Sequence, residues 1–155
     1  MIKLSPQDVD LRFSKLGITS RFSDVEKREL TTMPVVDADD RLCVFPTPRE
    51  NIPLTILALR RILGVRADQS PFFFDHPWYL DEAFAKRTCA PGWHVLCKEV
   101  LPESISRPEN YLHSVKYSGL ALPSAIEVVL MVFLYYVDTT SIVRSAGPLR
   151  PLRLT

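Results

Sequence analysis

Hydrophobic and polar positions along this chain change period several times, and each change marks an element. The run Leu4-Ser5-Pro6-Gln7-Asp8-Val9 opens the first. Ser5 is a natural N-cap, Pro6 suits the first helical position, and Asp8 lies at the positive end of the helix dipole. Leu4 and Val9 stand at hydrophobic-staple spacing. Val9, Phe13 and Leu16 then recur at i, i+4 and i+7, and Gly17 supplies the stop. A second short helix is expected from Ser23 to Leu30, with Asp24 and Glu26 early, although Glu29 near its end opposes the dipole.

From Met33 the period shortens. Val35-Val36 and Leu42-Cys43-Val44-Phe45 are β-type runs separated by Asp37-Ala38-Asp39-Asp40, which predicts a hairpin over 33–45 closed by Pro46 and Pro48. Pro53 then introduces a helix over Leu54 to Leu63, ended by Gly64, with Leu54, Leu57 and Ile62 inward and Arg60 and Arg61 near its C-terminal end. A polar connection leads to the aromatic stretch Pro71-Phe72-Phe73-Phe74-Asp75-His76-Pro77-Trp78-Tyr79. Pro77 can start a helix, with Asp81 and Glu82 early and Lys86 and Arg87 late, in the order the dipole favours. After the turn at Pro91-Gly92, alternation predicts a strand from Trp93 to Val100. Trp93, Val95 and Cys97 share one face, and His94, Leu96 and Lys98 share the other. Residues 102–122 read as loop. Ser124 and Glu127 have capping-box spacing, and from Ile126 to Val137 the helix is apolar almost all round. That pattern predicts a central support near 124–137, wrapped by the rest of the fold.

These elements imply an α+β fold: a small antiparallel sheet, containing the hairpin and the 93–100 strand, packed on several short helices. One globular domain is expected over 1–138, followed by an extended or disordered tail over 139–155 that carries Arg144, Arg150 and Arg153. Thirteen prolines against five glycines explain why the elements should be short and interrupted. The net charge of +1 supplies no field to steer the chain to DNA or a membrane. Three cysteines, Cys43, Cys89 and Cys97, are an odd number without a CxxC pair, which favours reduced thiols in a cytoplasmic setting over a secreted disulfide scaffold. The N-terminus lacks the apolar run of a signal peptide. The longest apolar run, Val128 to Val137, makes about 15 Å of helix, too short for a ~30 Å hydrocarbon layer. A soluble protein is expected.

Chemistry is thinly marked. The phosphate-binding glycine loops, HExxH, GxSxG and the zinc-finger and EF-hand patterns are all absent from the sequence. No cofactor is called for, and no metal, because no ligand pair has standard spacing. Asp75, His76 and His94, with Cys89 and Cys97 nearby in sequence, are the raw material of a nucleophile–base arrangement. The same residues have plainer readings. Asp75 and His76 can cap or turn the chain before Pro77, His94 can be a hydrogen-bonded core histidine, and apolar-strand cysteines behave as small hydrophobes. Glu127 is either a capping carboxylate or, if buried, a proton carrier with a raised pKa. The aromatics offer a different role: Phe72, Phe73, Phe74, Trp78, Tyr79 and Trp93 crowd one part of the chain. Such residues fill cores or anchor protein interfaces.

Three functions follow. First comes a non-enzymatic protein-interaction module, of inhibitor or adaptor type, binding through Trp78, Tyr79 and Trp93. Next comes a small hydrolase built on Asp75, His76, His94 or a cysteine. Last is a nucleic-acid-associated protein using aromatics with Arg60, Arg61 and Arg66. Missing enzyme motifs and near-neutral charge set that order.

Overall fold

The strand Leu42–Thr47, buried along its whole length, organises the fold. The computed structural model describes residues 1–36, 39–49, 53–65, 73–100, 102, 105–106, 108 and 122–143, the last six by backbone alone. In chain order the elements are β1 (Ile2–Lys3), α1 (Pro6–Leu16), α2 (Asp24–Glu29), β2 (Leu42–Thr47), α3 (Ile56–Leu63), a 3₁₀ turn at Pro77–Tyr79, α4 (Ala83–Lys86), β3 (Gly92–Cys97) and α5 (Ala125–Val143). The architecture is α+β, with a three-stranded sheet in the order β1-β2-β3.

The sheet is mixed where a purely antiparallel one was expected. β1 pairs parallel to β2, with Ile2 opposite Cys43 and Lys3 opposite Val44. β3 pairs antiparallel on the other edge, running from Leu42 opposite Cys97 to Thr47 opposite Gly92. The expected 33–45 hairpin does not form. Residues 33–36 are not strand and Val35 is fully exposed, while residues 37–38 of the expected turn lie outside the described residues. Both edges of β2 are occupied by chain from far away in sequence, and Pro34 removes a donor from the would-be partner. Pro46 sits inside β2 without breaking it. Lys98 donates its N–H to the Arg41 carbonyl at 2.8 Å, so Arg41, Cys43, Phe45 and Thr47 alternate as the positions bonded towards β3. Pro46 falls between them and turns its missing donor to the side beyond the end of β1, a tolerated place.

Helix starts follow local chemistry closely. The Ser5 hydroxyl accepts from Asp8 N–H, and Asp8 Oδ2 accepts from Ser5 N–H at 2.8 Å. Ser23 and Glu26 repeat this box at α2, and Glu29, which opposes the dipole there, pairs with Arg49 at 2.6 Å. Gly17 ends α1 at φ 76°, a left-handed conformation that suits glycine. The helix expected over 54–63 begins two residues later, with Thr55 as its cap and Ile56 and Leu59 as its buried residues. The segment after Pro77 divides into the 3₁₀ turn and the four-residue α4.

Val9 and Phe13 of α1, Phe45 of β2, Leu59 of α3, Leu96 of β3 and Leu130 and Leu134 of α5 belong to one buried cluster. Arg12 Nη1 donates to the Leu134 carbonyl at 2.7 Å, fastening α1 to α5. α5 is not wrapped on all sides as its sequence suggests. Leu130 is 1% exposed, but Val132 is 48% exposed and shares an open face with Val128, Tyr135 and Tyr136. The helix also continues through residues 139–143, the first part of the expected tail, and residues 144–155 lie outside the described residues. Among the described residues no helix is long and apolar enough to cross a membrane.

Candidate functional site

The alternation along β3 turns His94 into the core, 6% exposed, with its ring stacked on Phe45 at 5.2 Å. Three other parts of the chain meet it there. Nδ1 lies 2.7 Å from Glu127 Oε1, at the start of α5. Nε2 lies 2.9 Å from Thr47 Oγ1 on β2 and 3.0 Å from the Ala90 carbonyl. Cys89 Sγ is 3.8 Å from the same nitrogen. The Thr47 hydroxyl donates to the Ala90 carbonyl at 2.8 Å.

Glu127 uses its two oxygens differently. Oε2 accepts from the Ser124 N–H and hydroxyl, each at 2.6 Å, while Oε1 faces His94. Burial pushes its pKa up, but the bonds from Ser124 and then from His94 outweigh that, and the carboxyl titrates below its ordinary value. The raised pKa expected of a buried proton carrier is absent, and the carboxylate is capping residue and histidine partner together. The Cys89 thiol moves the other way. Burial, with the Glu127 charge adding to it, pushes it up to about 12.

Thiol, imidazole and carboxylate thus stand in the order of a nucleophile, base and orienting group. One feature opposes that chemistry. A reactive cysteine needs an electropositive, accessible setting, and Cys89 is 5% exposed with a strongly held proton. Among the described residues, two cavities lie elsewhere. A cavity of about 180 Å³ is lined by Cys43, Lys98, Glu99, Met131, Val132, Tyr135 and Tyr136. Another of about 60 Å³ lies between Glu26, Thr47, Arg49 and Gly92, and neither is lined by Cys89 or His94.

Asp75 and His76 do not join His94. Asp75 is exposed and pairs with Arg60 at 2.7 Å, and the exposed His76 ring lies 6.0 Å from that of Phe74. Cys43 is buried, its thiol raised to about 11, and Cys97 is half-buried on the outer face of β3. Among the described residues no group of three or more His, Cys, Asp or Glu side chains could hold a metal ion.

The aromatic stretch forms a second feature. Phe74 is 69% exposed and Trp78 is 67% exposed. Next to Trp78, Tyr79 turns inward and is buried. Its hydroxyl accepts from Arg60 Nε at 3.0 Å and donates to the Phe74 carbonyl at 3.3 Å. Trp78 rests edge-on against Tyr79, at 5.6 Å and 80°, and 6.0 Å from Phe84. Phe73 packs on Phe133 of α5 at 5.1 Å, which fastens the stretch to the core. Trp93 is half-buried on β3, with its Nε1 buried and unpartnered among the described residues. Phe72 and Arg66 lie outside the described residues.

Sequence reasoning missed the link between His94 and Glu127, and missed Thr47 entirely. Strand alternation and capping-box spacing single out the first two separately, but no local signal joins positions 33 residues apart. Compared with known proteins, the chain significantly matches no family model, no curated protein and no solved structure.

Proposed function

We propose that this chain is a non-enzymatic protein-binding module whose contact surface is built on Trp78 and Phe74. The observation that carries the reading is a large indole left mostly in solvent on a backbone that is firmly held. Trp78 is 67% exposed, yet its neighbour Tyr79 is buried and tied to Arg60 and to the Phe74 carbonyl. Arg60 in turn holds Asp75 at 2.7 Å. An aromatic side chain on such a support loses little conformational freedom on binding, which favours affinity. Aromatic anchors of this kind dominate interface energetics. Tyr79 then acts as the support and Trp78 as the contact, while Trp93 is half-buried on β3.

The hydrolase reading keeps one observation in its favour, the Cys89–His94–Glu127 order, and the thiol raised to about 12 weighs against it. The nucleic-acid reading loses Arg60 to Asp75 and Tyr79.

The test is affinity capture from native lysate with wild type, Trp78→Ala and Phe74→Ala, each with and without nuclease. A stoichiometric protein that survives nuclease and weakens with either variant supports the module. An anchor tryptophan contributes about 2 kcal/mol or more, close to a thirtyfold change in Kd. Equal capture by all three proteins refutes the assignment of the surface. A Cys89→Ala variant that abolishes an esterase or peptidase activity present in the wild type would instead establish the hydrolase.

A further inference from the structure

The pleat of β3 carries a positive charge into the space between sheet and helix. His94 and Leu96 are buried while Trp93, Val95 and Cys97 are half-buried, so the first pair faces α5, where His94 meets Glu127. The ladder runs one residue past β3, because Lys98 N–H bonds the Arg41 carbonyl. Lys98 therefore keeps the inward phase, and it is half-buried. From His94 to Lys98 the strand advances about 13 Å. From Glu127 to Tyr135 the helix advances about 12 Å. Strand and helix run in step, and Lys98 arrives level with Tyr135. Both line the cavity of about 180 Å³.

Depth in that cavity follows from exposure. Cys43 and Met131 are buried and form its floor, while Val132, Tyr135 and Tyr136 are open and form its rim. Positive charge reaches the floor: burial raises the Cys43 thiol, and the pull against that rise comes from Arg12 and Lys98. Glu99 also lines the cavity but is exposed, where solvent and salt screen it. Volume limits what fits. An apolar cavity of about 150 Å³ admits benzene, and drug-sized ligands need about 300 Å³ or more. The observed 180 Å³ suits one ring with one short polar group.

We propose that this cavity binds a small aromatic carboxylate, with its ring between Met131 and the tyrosine rim and its carboxylate paired with the Lys98 ammonium. Thioether and phenol rings both favour a planar π-face. An ammonium held against an apolar floor favours an anion over a neutral or cationic group of the same shape. The cavity shares no lining residue with the Trp78–Phe74 surface, so the two assignments stand or fall separately.

The experiment uses the whole chain with its three methionines, Met1, Met33 and Met131, labelled with ¹³C at the methyl carbon. Benzoate, benzyl alcohol and benzylammonium are titrated in turn at matched ionic strength. Benzoate should shift the Met131 methyl saturably, with a Kd on the order of 1 mM, and leave Met1 and Met33 still. Benzyl alcohol should bind about fivefold more weakly, and benzylammonium more weakly again. Lys98→Gln should bring benzoate down to the level of benzyl alcohol. Val132→Trp, a change at the open rim that leaves the core untouched, should abolish the response to both. A Met131 methyl that stays still at about 20 mM benzoate, well above that Kd, overturns the proposal. So does equal affinity for benzoate and benzyl alcohol, or a benzoate response that survives Val132→Trp.

Discussion

Two substitutions two positions apart on α5 should differ several-fold in cost, because the helix buries one face and opens the other. Leu130 is 1% exposed within the main cluster, while Val132 is 48% exposed. Replacing Leu130 by alanine removes buried carbon atoms and leaves a space that the surrounding Phe45, Phe13 and Leu134 cluster cannot fully close. The transfer and cavity contributions together cost about 2–5 kcal/mol. Alanine is a slightly better helix former than leucine, but that offsets only a few tenths. Val132→Ala only widens a cavity that already exists and removes a β-branched residue from a helix surface, so it should stay within about 0.5 kcal/mol of wild type. Urea unfolding followed by circular dichroism reads both. With a slope of about 2 kcal/mol per molar, a 3 kcal/mol loss moves the Leu130→Ala midpoint down by about 1.5 M. A domain of ordinary stability, about 5–15 kcal/mol, feels that strongly. Equal midpoints for the two variants would show that α5 is not seated on its Ile126–Leu130–Leu134 face, and the account of the core would fall with it.

Further outcomes follow from the same structure. Glu26, buried and bonded to the Ser23 and Arg49 N–H groups at 2.8 and 2.6 Å, titrates below its ordinary 4.5 because those bonds outweigh burial. Its contribution is therefore complete above about pH 4.5 and is lost as pH falls through the lower folded value. The stability gap between wild type and Glu26→Gln should narrow between pH 6 and pH 3 in urea titrations; a constant gap would contradict the assignment. Cys43 and Cys89, raised to about 11 and about 12, should resist iodoacetamide at pH 8 while half-buried Cys97 reacts first, as mass mapping would report. Prior labelling of Cys89 would reverse the argument that its thiol is inert. Gly17→Ala should cost roughly 1–2 kcal/mol, since φ 76° is unfavourable for a residue with a Cβ; no shift in Tm would show that the turn relaxes freely.

Local chemistry was readable in the sequence, and long-range pairing was not. The Ser5 cap, the Gly17 and Gly64 stops and the alternation of His94 and Leu96 against Trp93 and Val95 are short-range consequences of capping, backbone freedom and pleat. The partner of β2 depends instead on which distant segment offers a matching edge. Val35-Val36 lies nearest in sequence and has β-type residues, but β1 and β3 occupy both edges. The apolar run of α5 misled for a related reason. Composition gives the average burial of a helix, whereas the open face of Val128, Val132, Tyr135 and Tyr136 depends on how many elements reach it.

The two candidate sites differ in what the fold already uses. Around His94 every polar atom is committed: one Glu127 oxygen to Ser124, the other to the ring, and the Ala90 carbonyl to both Thr47 and Nε2. A cluster so fully satisfied holds elements together, and a substrate could enter only by displacing bonds that the fold needs. Trp78 is the reverse case. Its indole meets Tyr79 and Phe84 along part of its surface and leaves the rest in water, so folding recovers only a fraction of what burying a side chain of that size would yield. Meanwhile the backbone beneath it is fastened by Arg60, Tyr79 and, through Phe73, by Phe133. Order without burial is the combination an interface anchor requires, and it separates Trp78 from the aromatics around it that serve the core.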